Sequence, residues 1–345
     1  MKDISKLVRA NIAALQPYST ARDEYKGSLG ILLDANENPY DNGINRYPST
    51  SLKEQLRGKV AALKGIAPER LFLGNGSDEA IDLCYRVFCE PGRDNAVIMA
   101  PSYGMYSVCA DINNIERRMV LLEPETFALP VEKLLSAADA ATRLMFICSP
   151  NNPTGNAFAV SDIERLAAAF EGILVVDEAY IDFSSEQSVV SLLDKYPNLI
   201  VLQTLSKAYG MAGLRIGLAI TSPYIVSIFK QVKYPYNIGT DTISLALKCL
   251  EGDVSPQVAE IKAERDRLLE ALPQARCIQK IYPSDANFLL IKVNDPRGLY
   301  NALLQQGVIV RDRSTVALCE GCLRITVGTP SENEKMEKII YSYES

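Results

Sequence analysis

Histidine is absent from all 345 residues. That absence excludes Ser-His-Asp and Cys-His catalysis and the H-E-x-x-H metal site. Proton transfer must then fall to Lys, Asp, Glu, Tyr, Cys or a cofactor. Cysteine is sparse, with eight residues, too few for a disulfide scaffold. Cys319 and Cys322 form a C-x-x-C. A structural zinc site needs four ligands, and no second such pair exists. The pair reads as two small residues near a strand, and no metal is expected. No apolar run approaches the ~20 residues needed to span a bilayer. The N-terminus mixes Lys2, Asp3, Lys6 and Arg9 with apolar residues, so it lacks the uninterrupted apolar stretch of a secretory signal. A cytoplasmic location is expected. No long basic run stands out, and the net charge is −6. Neither nucleic acid nor an anionic membrane is therefore an expected partner.

What remains is ordinary globular composition, 48% hydrophobic and 23% charged. The length fits one large domain with a smaller one, or two comparable ones. Short apolar, β-branched runs alternate with longer amphipathic stretches. Strands are expected at Ala96–Ala100, Leu144–Cys148, Gly172–Asp177, Leu199–Thr204 and Leu214–Ile220, their near-continuous hydrophobicity implying burial on both faces. Helices are expected at Ser49–Leu63, Asp78–Phe88, Val160–Phe170 and Val254–Leu272. The alternation indicates an α/β domain with a mainly parallel sheet. The last hundred residues read as a small α+β domain, with strands at Phe288–Val293, near Val308–Arg311 and at Leu323–Val327, and a helix near Leu299–Gln306. A boundary near residue 240 follows the Tyr-, Pro- and Gly-rich stretch Tyr234–Gly239.

In open α/β sheets, ligands sit beyond the carboxyl ends of the strands. Four segments fall there. Lys207 lies in T-L-S-K-A-Y-G just after a buried run, with Arg215 eight positions on. Lysine forms Schiff bases with aldehydes, and Thr204, Ser206 and Arg215 would cluster around one anion. Asp177 ends another buried run; it can face a cationic ring nitrogen or simply cap a helix. Tyr180 follows it, within reach of a ring hydroxyl. Ser149–Gly155 (S-P-N-N-P-T-G) specifies a rigid turn in which the Asn152 amide can donate to a phenolate oxygen, or serve only as a turn. Gly74–Glu79 (G-N-G-S-D-E) opens a helix whose free N–H groups suit an anion, although Ser77 or Asp78 can equally be plain caps.

Each segment alone is weak; their joint order is not. That order resembles the fold type I pyridoxal 5′-phosphate (PLP) enzymes of the aspartate aminotransferase class, and within it the histidinol-phosphate aminotransferases. The resemblance extends over most of the chain. It includes Leu33–Tyr40 (L-D-A-N-E-N-P-Y), Arg46-Tyr47-Pro48 and Leu323–Gly328 (L-R-I-T-V-G). It implies a fold type I transferase: an arm and part of a small domain over 1–30, a large PLP-binding domain over 31–240 and a small domain over 241–345. It implies PLP as cofactor, small-molecule substrates and a homodimer. Lys207 would be the Schiff-base lysine and proton shuttle, and Asp177 the partner of the pyridine nitrogen. Asn152 and Tyr180 would bind the ring oxygen, and Tyr103 would stack on the ring. Ser77, Asp78, Thr204, Ser206 and Arg215 would hold the cofactor phosphate, reached by Tyr47 from the second subunit. Arg324 would bind the substrate's anionic group, with Arg311 and Tyr18 nearby. The chain departs from the pattern between Arg311 and Arg324, a short segment carrying Cys319 and Cys322.

The implied reaction moves an amino group between histidinol phosphate and 2-oxoglutarate. Three other readings share the pattern. They are an aminotransferase for aromatic amino acids, a lyase of the threonine-phosphate decarboxylase type, and a PLP-binding regulatory domain. The last usually comes fused to a DNA-binding module, for which this sequence offers no segment.

Overall fold

The computed structural model describes residues 2–16, 18 and 30–343. Its larger sheet contains β1 (Leu71–Asn75), β2 (Asn95–Ala100), β3 (Glu116–Leu121), β4 (Thr142–Cys148), β5 (Ile173–Asp177), β6 (Leu199–Thr204) and β7 (Ile216–Ile220). The spatial order is β1-β7-β6-β5-β4-β2-β3. β2 to β6 pair in parallel, whereas β7 runs antiparallel to both β6 and β1. Every residue of β5 and β6 is buried, as a strand covered on both faces requires.

Helices of at least eight residues supply that cover: α1 (Thr50–Leu63), α2 (Gly76–Phe88), α3 (Met105–Ile112), α4 (Val160–Ala169), α5 (Pro223–Val232) and α6 (Thr240–Cys249). Side chains alternate across the sheet. Met145, Ile147, Leu174 and Val176 enter one core with α1, α4 and α6. Leu144, Phe146, Ile173 and Val175 enter the other with α2, α3 and α5.

A second, antiparallel sheet has the order β10-β11-β9-β8, from β8 (Ile278–Ile281), β9 (Phe288–Val293), β10 (Arg311–Asp312) and β11 (Cys322–Thr326). It packs with α7 (Ser255–Ala271), α8 (Pro296–Gln305) and α9 (Pro330–Ser342) around Leu268, Leu289, Ile291, Leu299 and Ile340.

All five strands expected in the first part of the chain are present, within two residues at each end. β1, β3 and β8 were not expected. β3 is an edge strand whose Glu116, Arg117 and Met119 are exposed, so it carries no apolar run. Two domain expectations need correction. Ile4, Val8 and Ile12 pack into the larger unit's core with α2 and α5, not onto the small sheet. Arg9 fixes them there, its N–H donating to the Val87 carbonyl at 2.9 Å and its side chain meeting Glu90. Most of the remaining arm, residues 19–29, lies outside the described residues. Ile243 and Ala246 of α6, and Leu250 after it, pack in the core that holds Leu56 and Val60. The larger unit therefore extends past the boundary expected at residue 240.

Candidate active site

The C-terminal ends of β4, β5 and β6 open on a cavity of about 600 Å³, closed from the other side by the small sheet. Its walls include Ser77, Asp78, Tyr103, Asn152, Asp177, Tyr180, Thr204, Ser206, Lys207, Arg215, Arg311 and Arg324. Twelve side chains spread over some 250 positions of sequence thus meet in one place.

Lys207 follows β6 in a loop closed by the Gly210 N–H on its own carbonyl (3.0 Å) and by Met211 N–H on Leu205 (3.0 Å). Its Nζ stands 5.6 Å from the Tyr180 ring centroid. Burial, then the charge of Arg324, lowers the ammonium's pKa, which favours the neutral, nucleophilic amine.

Asp177 is the last residue of β5 and only 3% exposed. The Tyr106 hydroxyl donates to its Oδ2 at 2.7 Å and the Ala179 N–H to its Oδ1 at 3.0 Å. Burial dominates and pushes its pKa up to about 6. A cation facing it from the cavity would oppose that rise.

At one end of the cavity α2 begins. The Tyr103 hydroxyl donates to Asp78 Oδ1 (3.1 Å), and Arg215 reaches Asp78 Oδ2 (3.3 Å) and Ser206 Oγ (3.5 Å). Arg215 adopts a left-handed backbone (φ 54°, ψ 52°), and its carbonyl accepts the Gly76 N–H at 2.7 Å. Gly217 lets β7 approach that helix start: a Cβ there would lie 2.0 Å from the Ser77 nitrogen. A guanidinium, a hydroxyl and the free N–H groups of a helix N-terminus converge, the donor set a phosphate takes. The Thr204 hydroxyl lines the wall but is tied into the fold, donating to the Ile216 carbonyl (3.2 Å) and accepting from Ser206 N–H (3.0 Å).

At the other end, Arg324 of β11 donates from Nη1 to Asn152 Oδ1 and lies over the Phe288 ring, 5.2 Å from its centroid. Arg311 of β10 is its register partner. Asn151 builds the turn that presents Asn152, donating to Pro101 O (2.9 Å) and Thr154 Oγ1 (2.7 Å). Burial lowers the pKa of Arg324.

Tyr18 and Tyr47 are not brought to this cavity. Tyr18 is 78% exposed and borders a separate hollow with Lys53, Arg57 and Lys230. Tyr47 stacks on Tyr236 at 4.0 Å and is 46% exposed. Wall or support residues that were not expected include Tyr106, Cys148 and Arg313. Tyr106 lies in the first turn of α3, and its ring meets that of Tyr103, just before the helix, edge to face at 5.7 Å. Arg313 sits two after Arg311, the spacing of one strand face.

A family model for aminotransferase class I and II matches residues 31–340. The chain belongs to this family. The aminotransferase is 50% identical over 338 residues to a histidinol-phosphate aminotransferase of Parabacteroides distasonis, covering 97% of each chain. It is 48% identical over 347 residues to one of Bacteroides thetaiotaomicron, covering 100% of each. Its fold is similar to the crystal structure of histidinol-phosphate aminotransferase from Sinorhizobium meliloti in complex with pyridoxal-5′-phosphate. The TM-score is 0.77 at 21% identity, over 86% of this chain and 82% of that one. The aminotransferase has the fold type I architecture, a mainly parallel seven-stranded sheet beside a smaller second sheet. Among its described residues no helix is long and apolar enough to cross a membrane.

Proposed function

We propose that this aminotransferase uses PLP to interconvert histidinol phosphate and 2-oxoglutarate with imidazole-acetol phosphate and glutamate, as a cytoplasmic homodimer in histidine biosynthesis. One observation carries the reading: a single cavity holds a depressed-pKa lysine and a buried carboxylate between two separate cationic ends. Two anionic groups, one at each end, with an amine-reactive centre between them would answer that arrangement. The high identity to curated histidinol-phosphate aminotransferases along the whole chain supports the choice of substrate.

The residues fit the cofactor. Ser77, Asp78 N–H, Ser206 and Arg215 would take its phosphate, with Thr204 shaping that wall. Asp177 would face its ring nitrogen, Asn152 and Tyr180 its ring oxygen, and Tyr103 its ring face. Bound PLP supplies an aldehyde that condenses with amines and a ring that absorbs the electron pair left by a departing proton.

Lys207 Nζ would hold the cofactor and, once freed by an amino donor, would carry the proton of the donor's α-carbon to the cofactor's former aldehyde carbon, across the shared nitrogen. Its lowered pKa keeps part of the amine free for both tasks. Asp177, ionised, would face the ring nitrogen and hold it protonated. Arg324 anchors the anionic group of each substrate in turn, its fork matching carboxylate or phosphate. Arg311 stands beside it. The cycle alternates two half-reactions at one site.

Purified protein incubated with histidinol phosphate and 2-oxoglutarate should form glutamate. Glutamate formed only with aromatic donors, or carbon dioxide released without consumption of an oxo acid, would overturn the substrate assignment.

A further inference from the structure

Lys64 closes α1, its N–H donating to the Val60 carbonyl at 3.0 Å, on a helix anchored in the core by Leu56, Val60 and Ala61. Its side chain is only 9% exposed. The ammonium pairs with Asp182 Oδ1 at 2.9 Å and lies over the Tyr209 ring, 4.9 Å from its centroid. Burial works against the charge, but Asp182 and Tyr209 outweigh it and raise the pKa of Lys64. Its charge also acts on Glu178.

The two partners belong to the two segments that matter most in the cavity. Asp182 stands two residues after Tyr180, in the turn Ile181–Phe183 that closes with the Phe183 N–H on the Tyr180 carbonyl at 3.0 Å. Tyr209 stands two residues after Lys207, inside the loop that the Gly210 N–H closes on the Lys207 carbonyl. One ammonium from a third element thus ties the Lys207 loop to the Tyr180 turn. Those segments also meet through Tyr180, Phe183 and Ala208, apolar contacts that are non-directional. A buried ion pair adds little net stability; what it can add is a single arrangement of the groups it joins. Loss of solvent acts most on the Lys207 amine, then the charges of Arg324, Asp177, Arg215 and Asp78. Lys64 reaches that amine through its loop rather than through its own charge.

We propose that Lys64 is a positioning residue for the reactive amine: by holding Asp182 and Tyr209 together, it keeps the Lys207 loop against the Tyr180 turn, with Lys207 Nζ beside the Tyr180 ring and facing the cavity. The proposal rests on the reading of Lys207 as the cofactor lysine and adds the group that keeps it in place. Without the clamp the loop moves outward, the amine gains water and loses Arg324 as a neighbour, and Nζ holds its proton more tightly.

The test uses Lys64→Met, Lys64→Arg and the double variant Lys64→Met with Asp182→Asn. In the apoprotein, the rate at which acetic anhydride acylates Lys207 is followed against pH by mass spectrometry of its peptide. Lys64→Met should move the midpoint up by about one pH unit, leaving about tenfold less free amine at pH 8. The double variant removes one charge of each sign and should show the same shift, since placement causes it. Lys64→Arg keeps the charge, reaches a carboxylate and stacks on a ring, and should restore the wild-type midpoint. In the holoenzyme, the pH midpoint of the cofactor's absorption band should follow the same order. Melting temperatures report on folding. If Lys64→Met does not fold, the double variant, which leaves neither partner's charge unpaired, carries the test. A lower melting temperature with the Lys207 midpoint unmoved in the double variant makes Lys64 a structural residue and overturns the proposal. So does a shift in Lys64→Met that the double variant lacks, since lost charge then explains it. Borohydride trapping of the cofactor on another lysine would instead sink the transamination reading, while an apoprotein midpoint that still follows Lys64 keeps the clamp.

Discussion

Asp177 and Glu178 are adjacent, both almost fully buried, and differ in what answers them. Asp177 opens on the cavity, while Glu178 is enclosed by Ser188 Oγ (2.6 Å), Val189 N–H (2.8 Å) and Gln203 Nε2 (2.9 Å). Asp177→Asn is nearly isosteric and should keep the fold. It removes one charge of a pair worth roughly 4 kcal/mol at ~4 Å and an effective dielectric near 20, before desolvation. The transamination rate should fall by about 100-fold or more; a rate within about threefold of wild type would leave Asp177 only a capping role. Glu178 makes a different prediction. Burial pushes its carboxyl up to about 7 from an ordinary 4.5, so the folded protein holds this proton more tightly than the unfolded chain. Its contribution to stability is full below pH 4.5 and lost as pH rises through 7. Glu178→Gln has no such proton, so relative to wild type it should gain stability between pH 5 and 8, by up to about 3 kcal/mol. Asp177 is common to both proteins and cancels. Denaturant titrations at the two pH values that give the same difference would remove Glu178 as a titrating group. Asp177 was legible from its place at the end of an apolar run. Tyr106, which donates to it, was not, because a helix-borne tyrosine carries no mark of what it meets across the fold.

The contact between β7 and the start of α2 shows the same limit among elements. Gly217 pairs with Gly74 on one side and Thr204 on the other, and a Cβ on it would strike backbone, 2.1 Å from the Gly76 carbonyl carbon. Backbone cannot yield as a flexible side chain does. Gly217→Ala should therefore push the helix start away from β7 and scatter the N–H donors around Ser77. The expected result is PLP affinity of the apoprotein lowered by about tenfold or more, with a loss of stability of about 1–3 kcal/mol from overpacking. Absorbance titration and thermal melts read the two effects, and unchanged cofactor affinity would place the phosphate elsewhere. Gly74 and Gly76 were visible as a glycine-rich helix start. Gly217 was not, since only the antiparallel course of β7 brings it there. β1 was hidden for a related reason: L-F-L-G-N is short, and its two final residues read as loop. β3 and β8 are an edge pair, one in each sheet, and edge strands need no apolar run.

For the molecule as a whole, the two-part α/β plus α+β plan was readable, but the seam between the parts was not. α6 has its own helical periodicity, and nothing in the sequence tells which core that face enters. The same holds for the N-terminal arm, whose Ile4, Val8 and Ile12 choose the larger unit. Assembly gives the last prediction. Tyr47 lies outside its own chain's cavity, near the exposed Ile44. If it serves a second copy's cofactor phosphate, mixing Lys207→Ala with Tyr47→Phe protomers should give hybrids with one site damaged twice and one intact, in the isologous pairing expected of a C2 dimer. Activity of the mixture should exceed the mean of the parents; a fully active monomer by sedimentation would overturn the dimer. The division of the cavity also has a consequence in time. Every proposed cofactor contact within one chain lies at or before Arg215, but the core beneath them also takes Tyr282, Leu290, Cys319 and Cys322 from the last hundred residues. Cys322 is made only two residues before Arg324. A chain growing from its N-terminus therefore cannot close the core under the cofactor wall until its substrate arginines are all but made, and the two halves of the cavity become competent together.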